Sequence, residues 1–219
     1  FATYLLFQPA RTGQRLREAV EQQVDRADLT RFFVRPPAVP MSSPLPPALM
    51  PQSPAPRSAG TAPASPGREL SVLYDASLPD QRAVAERIQV KLHDAGYRIA
   101  LRGLGRSALR ARWASGDFDL MLQAVLLPPL GAPALAVVLE LAGRRDLLSR
   151  ELPALGAIAD NAAREARARE RALALQPELP LVPLYAQGVR VVTSAKVAGI
   201  ELDAFGVPLL DDAFFAPPP

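Results

Sequence analysis

SGDFDLMLQAVLLPP, residues 115–129, passes from a polar turn into a long apolar run that two prolines stop. A strand buried on both faces reads this way, with turn residues before it and a breaker after it. A short buried helix reads the same, because periodicity alone does not separate the two. The neighbours decide. Glu69–Asp75 (ELSVLYD) reads as a strand, and Pro79–Ala95 as an amphipathic helix with Val84, Ile88 and Leu92 on one side and Gly96 as its stop. Tyr97–Leu101 reads as a strand, Gly105–Ala114 as a short basic helix, and Phe118–Leu127 is the run in question. Strand and helix in alternation point to βαβ units and a parallel sheet, so residues 118–127 are expected to form a buried strand. The fold class expected is α/β, a mostly parallel central sheet flanked by helices.

Before this core, Ala2–Phe7 reads as a strand. A helix follows Pro9, its apolar stripe formed by Leu16, Ala19, Val20 and Val24 and extended by Leu29. From about residue 35 to 67 the composition turns to Pro, Ala and Ser, which cannot hold a helix and would interrupt a central strand. An irregular, extended and partly mobile segment is expected there, most of all from Pro44 to Gly67. Beyond Pro133 come Ala- and Leu-rich helices, ending in a long one from about Pro153 to Leu175 whose Arg and Glu residues read as a solvated, ion-paired face. LPLVPLYAQGVRVVTS, residues 179–194, reads as two strands across a tight turn at Gln187-Gly188.

Composition narrows the chemistry. The 219 residues are 49% apolar, enough for a real core. There is no Cys, which excludes disulfides, a thiol nucleophile and thiolate-held metal. The net charge is +3, and Lys91 and Lys196 are the only lysines. So much Arg beside heavy Ala, Leu and Pro reads as coding bias rather than a surface selected for phosphate, and no nucleic-acid partner is expected. No run reaches the ~20 continuous apolar residues of a membrane-spanning helix. The chain opens directly on a strand, so it is expected to be a piece of something longer.

His93 is the only histidine and lies on a helix, where a surface or packing role is commoner than catalysis. The glycines of RGLGRS, residues 102–107, sit at a strand-to-helix junction that suits an anion, but an ordinary turn explains them as well. Asp117 and Asp119 fit a turn and a strand-start pairing better than paired catalytic carboxylates, and Asp211-Asp212 carries no further signal. With so little nucleophile and base chemistry, no catalytic residue, metal ligand or cofactor is assigned, and an enzyme is not expected.

Four segments then resemble one family in order and spacing: GQRLREAVEQQVDRADLTRFF (13–33), MSSPLPP (41–47), AERIQVKLHDAGYRIALRGLGRSALRARWASGDFDLMLQAV (85–125) and LALQPELPLVPLYAQGVRVVTSAKVAGIELDAFGVPLLDDAFF (173–215). They are similar to the C-terminal lobe of the family 5 extracellular solute-binding proteins, the peptide-, oligopeptide- and nickel-type receptors of ABC importers. The resemblance implies a single periplasmic-binding-protein-like lobe over residues 1–219, with the N-terminal lobe outside this sequence. It implies two lobes closing over a small-molecule or peptide-like ligand, docking on ABC permease subunits, and a periplasmic or extracytoplasmic location, with an anchor in the part before Phe1. Nothing is chemically transformed.

The resemblance also implies which residues meet the ligand: Gln123, Ala124, Val125 and Leu126 after the buried strand, with Tyr185 of the PLY ending as a further neighbour. Peptide receptors of the family commonly place a Trp and then an Asp-Tyr pair here, the Asp holding the peptide amine. This chain has Val125 and Leu126 near the first position and Pro128-Pro129 near the second. A buried ammonium without a carboxylate is costly, so a neutral or largely apolar ligand is expected rather than a free peptide. The same residues would equally suit packing against a neighbouring loop, in a degenerate lobe reused as a protein-interaction or structural module.

Overall fold

The computed structural model describes residues 1–50, 69–188, 192–194, 196–203 and 207–215. The opening question is answered at once: Leu120–Val125 is a strand, β5, in the middle of a six-stranded sheet. Gly116 closes the preceding helix in a left-handed conformation, φ 68°, which a residue lacking Cβ adopts without strain. The strand is shorter than the expected 118–127: it ends at Val125, its last three residues are half-buried, and the apolar run continues as irregular chain to Pro128-Pro129.

The elements are β1 (Ala2–Phe7), α1 (Gln14–Gln23), α2 (Arg26–Asp28), β2 (Ala38–Pro40), β3 (Glu69–Asp75), α3 (Pro79–Asp94), β4 (Arg98–Leu104), α4 (Arg106–Ser115), β5, α5 (Gly131–Leu141), α6 (Arg145–Gly156), α7 (Asn161–Leu175) and β6 (Leu181–Gln187). Two-residue strands follow: β7 (Val197–Ala198), β8 (Glu201–Leu202), β9 (Pro208–Leu209) and β10 (Phe214–Phe215). The central sheet has the order β2-β6-β1-β5-β3-β4. β3 pairs parallel with β4 and β5, as the βαβ alternation demands. β1 runs antiparallel to both β5 and β6, and β2 antiparallel to β6. The sheet is therefore mixed, with four of its six strands (β3, β4, β5 and β6) pointing one way.

Alternation along the strands builds two cores. Leu5, Leu70, Val72, Leu120 and Leu122 pack with Val84, Ile88 and Leu92 of α3 and with Leu16 and Val20 of α1. Tyr4, Leu73 and Met121 face the other side, against Leu109 of α4 and Leu135 and Val138 of α5, with α6 and α7 behind. The result is a three-layer α/β/α body. Val72, Leu73, Ile99, Leu120 and Leu122 are all buried, as the sequence predicts.

Three expectations are corrected. The long helix from Pro153 is two helices: α6 ends at Gly156, and α7 begins afresh after Asp160, whose carboxylate accepts from the Ala163 N–H. A capping Asp between two amphipathic stretches starts a new helix rather than extending the old. The hairpin across Gln187-Gly188 does not form in the described residues: β6 pairs with β1 and β2, and residues 192–194 carry no regular structure. Long-range pairing to a strand from the start of the chain wins over a local turn. Within the Pro-rich segment, residues 38–40 form an edge strand, where proline is tolerated. Met41 and Leu45 are fully buried and the Tyr4 hydroxyl donates to the Pro44 carbonyl at 2.7 Å, so this part is anchored rather than loose. Residues 51–67 of the expected mobile segment lie outside the described residues.

Candidate functional site

β3, β5 and β6 end at Asp75, Val125 and Gln187, and β1 starts beside them. In open α/β sheets ligands gather outside the carboxyl ends of the strands. A groove of about 700 Å³ lies there. Its floor is Gln123, Ala124 and Val125, and Gln187 lies beside it. One wall is the face of α4 carrying Arg106, Leu109, Arg110 and Trp113; the other comes from α5 (Val137, Glu140, Leu141) and the start of α3 (Gln81).

Local structure holds these groups in place. The Trp113 indole N–H donates to the Leu141 carbonyl at 3.2 Å, which fixes the ring between α4 and α5. Gln81 is buried and its amide oxygen accepts the Asp75 N–H at 2.8 Å, tying the end of β3 to the first turn of α3. The Asp75 carboxylate is buried too, accepting from the Ser77 N–H at 2.9 Å and the Ser77 hydroxyl at 2.6 Å, while Arg106 Nε stands 3.6 Å from its other oxygen. Glu140 pairs with Arg145 at 3.4 Å.

Of the residues expected to meet a ligand, Gln123, Ala124 and Val125 line this groove. Leu126 is exposed beyond the strand end and outside the lining. Tyr185 sits in the sheet opposite Thr3 and is 2% exposed. Burial pushes its phenol above the ordinary range, a hydrogen bond with Thr3 opposes that, and the side chain belongs to the core rather than the groove. The expectation of a site without charge changes as well, since Asp75, Arg106, Arg110 and Glu140 share the lining. None of them is near β5 in sequence. The place of Asp75 at a strand's carboxyl end was the available signal; Arg106 and Arg110 gave none until α4 was packed.

The other sequence candidates resolve into structural roles. Asp119 is buried at the start of β5 and accepts the Ser71 N–H and hydroxyl of β3 at 2.9 and 3.0 Å. Asp117 pairs with Arg11 at 2.8 Å and also with Arg112. Gly103 of RGLGRS lies under the Tyr74 ring, where a Cβ would come within 2.9 Å of the hydroxyl oxygen. That glycine serves close packing. His93 is exposed near the end of α3. No described helix is long and apolar enough to cross a membrane.

No protein-family model matches the chain, and no curated protein sequence does. Solved structures do. The dipeptide binding protein from Pseudoalteromonas sp. SM9913, in complex with Met-Leu, superposes with a TM-score of 0.71 at 20% identity, over 98% of this chain and 48% of its own. HbpA2 from Haemophilus parasuis gives 0.72 at 14% identity, over 98% and 48%. NikA from Brucella suis, in complex with Fe(III)-EDTA, gives 0.68 at 16%, over 85% and 45%. The chain spans less than half the length of each. The chain thus has the fold of the solute-binding proteins of ABC transporters.

Proposed function

We propose that this chain is the C-terminal lobe of a family 5 solute-binding protein serving an ABC importer, and that the groove at the strand ends is its half of an interlobe ligand cleft. The observation that carries the reading is the position of Gln123–Val125: the end of a rigid central strand forms the floor of a groove over the carboxyl ends of the parallel strands. A second lobe would close over it as a hinged clamp and trap the ligand without chemical change. The closed receptor would then dock on permease subunits in the membrane, from the periplasmic or extracytoplasmic side. The sequence resemblance over all four segments supports the same lobe. So does the C-terminal stretch, where Leu202, Leu209, Leu210, Phe214 and Phe215 are exposed and await a covering surface.

Pro128 and Pro129 stand where peptide receptors of the family commonly hold the ligand amine, so a free peptide amine is not held at that position. That same substitution favours a second reading, a receptor lobe that has lost transport and serves as an interaction module. Native mass spectrometry of the full-length protein separates the two by finding a co-purifying small molecule. Calorimetry with that molecule then tests the groove. Val125→Asp and Gln123→Ala should each weaken binding by about tenfold or more, about 1.4 kcal/mol. Unchanged affinity in both variants would place the ligand elsewhere.

A further inference from the structure

The charges of the groove are unevenly compensated. The Asp75 carboxylate is engaged by Ser77 and Arg106, and Glu140 by Arg145. Arg110 stands one turn beyond Arg106 on the groove face of α4 and pairs with no carboxylate among the described residues. The Gln123 amide, half-buried on the floor, has no hydrogen-bond partner among them either. Around these two groups the surface is apolar, formed by Leu109, Trp113, Val125 and Leu141.

An apolar trough with one uncompensated guanidinium at its rim suits one class of small molecule. We infer that the ligand is an amphipathic anion, an aliphatic or aromatic body ending in a carboxylate or similar oxyanion. The body lies along Leu109, Trp113 and Val125. The oxyanion meets Arg110, whose planar fork fits it, and Arg106 joins by giving up its long 3.6 Å contact with Asp75. Asp75 keeps both Ser77 hydrogen bonds when this happens. The inference rests on the cleft reading above and adds the ligand's charge to it.

Trp113 is the chain's only tryptophan and lies in the groove, so its fluorescence reports occupancy. Three probes of one chain length, decanoate, decan-1-ol and decylamine, are titrated into the 219-residue chain at concentrations below the solubility of decan-1-ol and the micellar limits of the other two. Decanoate should bind about fivefold more tightly than the other two, the size of an exposed ion pair, and salt should reduce that preference. Arg110→Ala should abolish the preference while leaving decan-1-ol unchanged, and Arg110→Lys should restore part of it. Arg167→Ala, on α7 away from the groove, should change nothing. If decylamine binds most tightly, or Arg110→Ala leaves decanoate unaffected while Val125→Asp weakens all three probes, the cleft stands and the anionic ligand is wrong. If no probe perturbs Trp113, the groove does not take an amphipathic body and the inference is wrong, while the cleft reading is decided by the molecule that co-purifies with the full-length protein.

Discussion

Arg26 shows how one side chain can carry a fold-level duty. It is 5% exposed, and its Nε donates to the Pro183 carbonyl at 2.7 Å. Burial lowers its pKa, while Glu21 and Asp25 pull the other way. Pro183 lies inside β6, next to the register shift between Thr3 and Tyr4 of the neighbouring strand. A proline there breaks the regular ladder, and the guanidinium supplies a donor from outside the sheet. Arg17 does the same for the approach to β6, donating to the Pro177 and Leu179 carbonyls. Arg26→Met keeps the apolar stem and removes the donor. It should lower unfolding free energy by about 1.5–3 kcal/mol, the worth of a hydrogen bond to a charged group, read as a shifted urea midpoint with unchanged slope. Neither arginine stood out in the sequence, because burial of a charge depends on carbonyls some 160 residues away.

Among the elements, β5 bears most on both fold and site. It pairs with β1 on one edge and β3 on the other, and its first three residues are buried. Leu120→Ala should cost about 2–5 kcal/mol, since the packed neighbours from α3 and β3 relax only partly into the space. Chemical denaturation measures this, and a loss under 1 kcal/mol would mean that the strand is less central than its burial implies. The strands and helices from β3 to β5 were legible because period 2 and period 3.6 alternate there between clear stops such as Gly96 and Gly116. The break between α6 and α7 was not: Ala157, Ile158 and Ala159 carry the apolar pattern across it, and the Asp160 cap marks the restart.

The whole molecule divides into a closed body and an uncovered tail. β1, β3 and β5 are paired on both edges and packed on both faces, whereas β7 to β10 form two-residue pairs that lie largely on the surface. Hydrogen exchange followed by mass spectrometry should find the slowest amides in β1, β3 and β5, and exchange faster by orders of magnitude in residues 197–203 and 207–215. Slow exchange in the tail of the isolated chain would mean that it is covered within this chain, against the reading that another lobe covers it.

Local pattern by itself determined the α/β class, the strand at the centre of residues 118–127 with its buried start at 118–122, and the helix faces of α1 and α3. Each of those follows from spacing along a few turns or a few strand residues, and such spacing survives in any packing. Tertiary structure alone decided the rest. It paired β6 with β1 across most of the chain, turned two strands against the other four, and drew Tyr185 into the core. It also brought Asp75 of β3 and Arg106, Arg110 and Trp113 of α4 together at the groove. Which strands are neighbours, and which charges face one cavity, depend on how the layers close over the apolar surface, and no window of neighbouring residues encodes that.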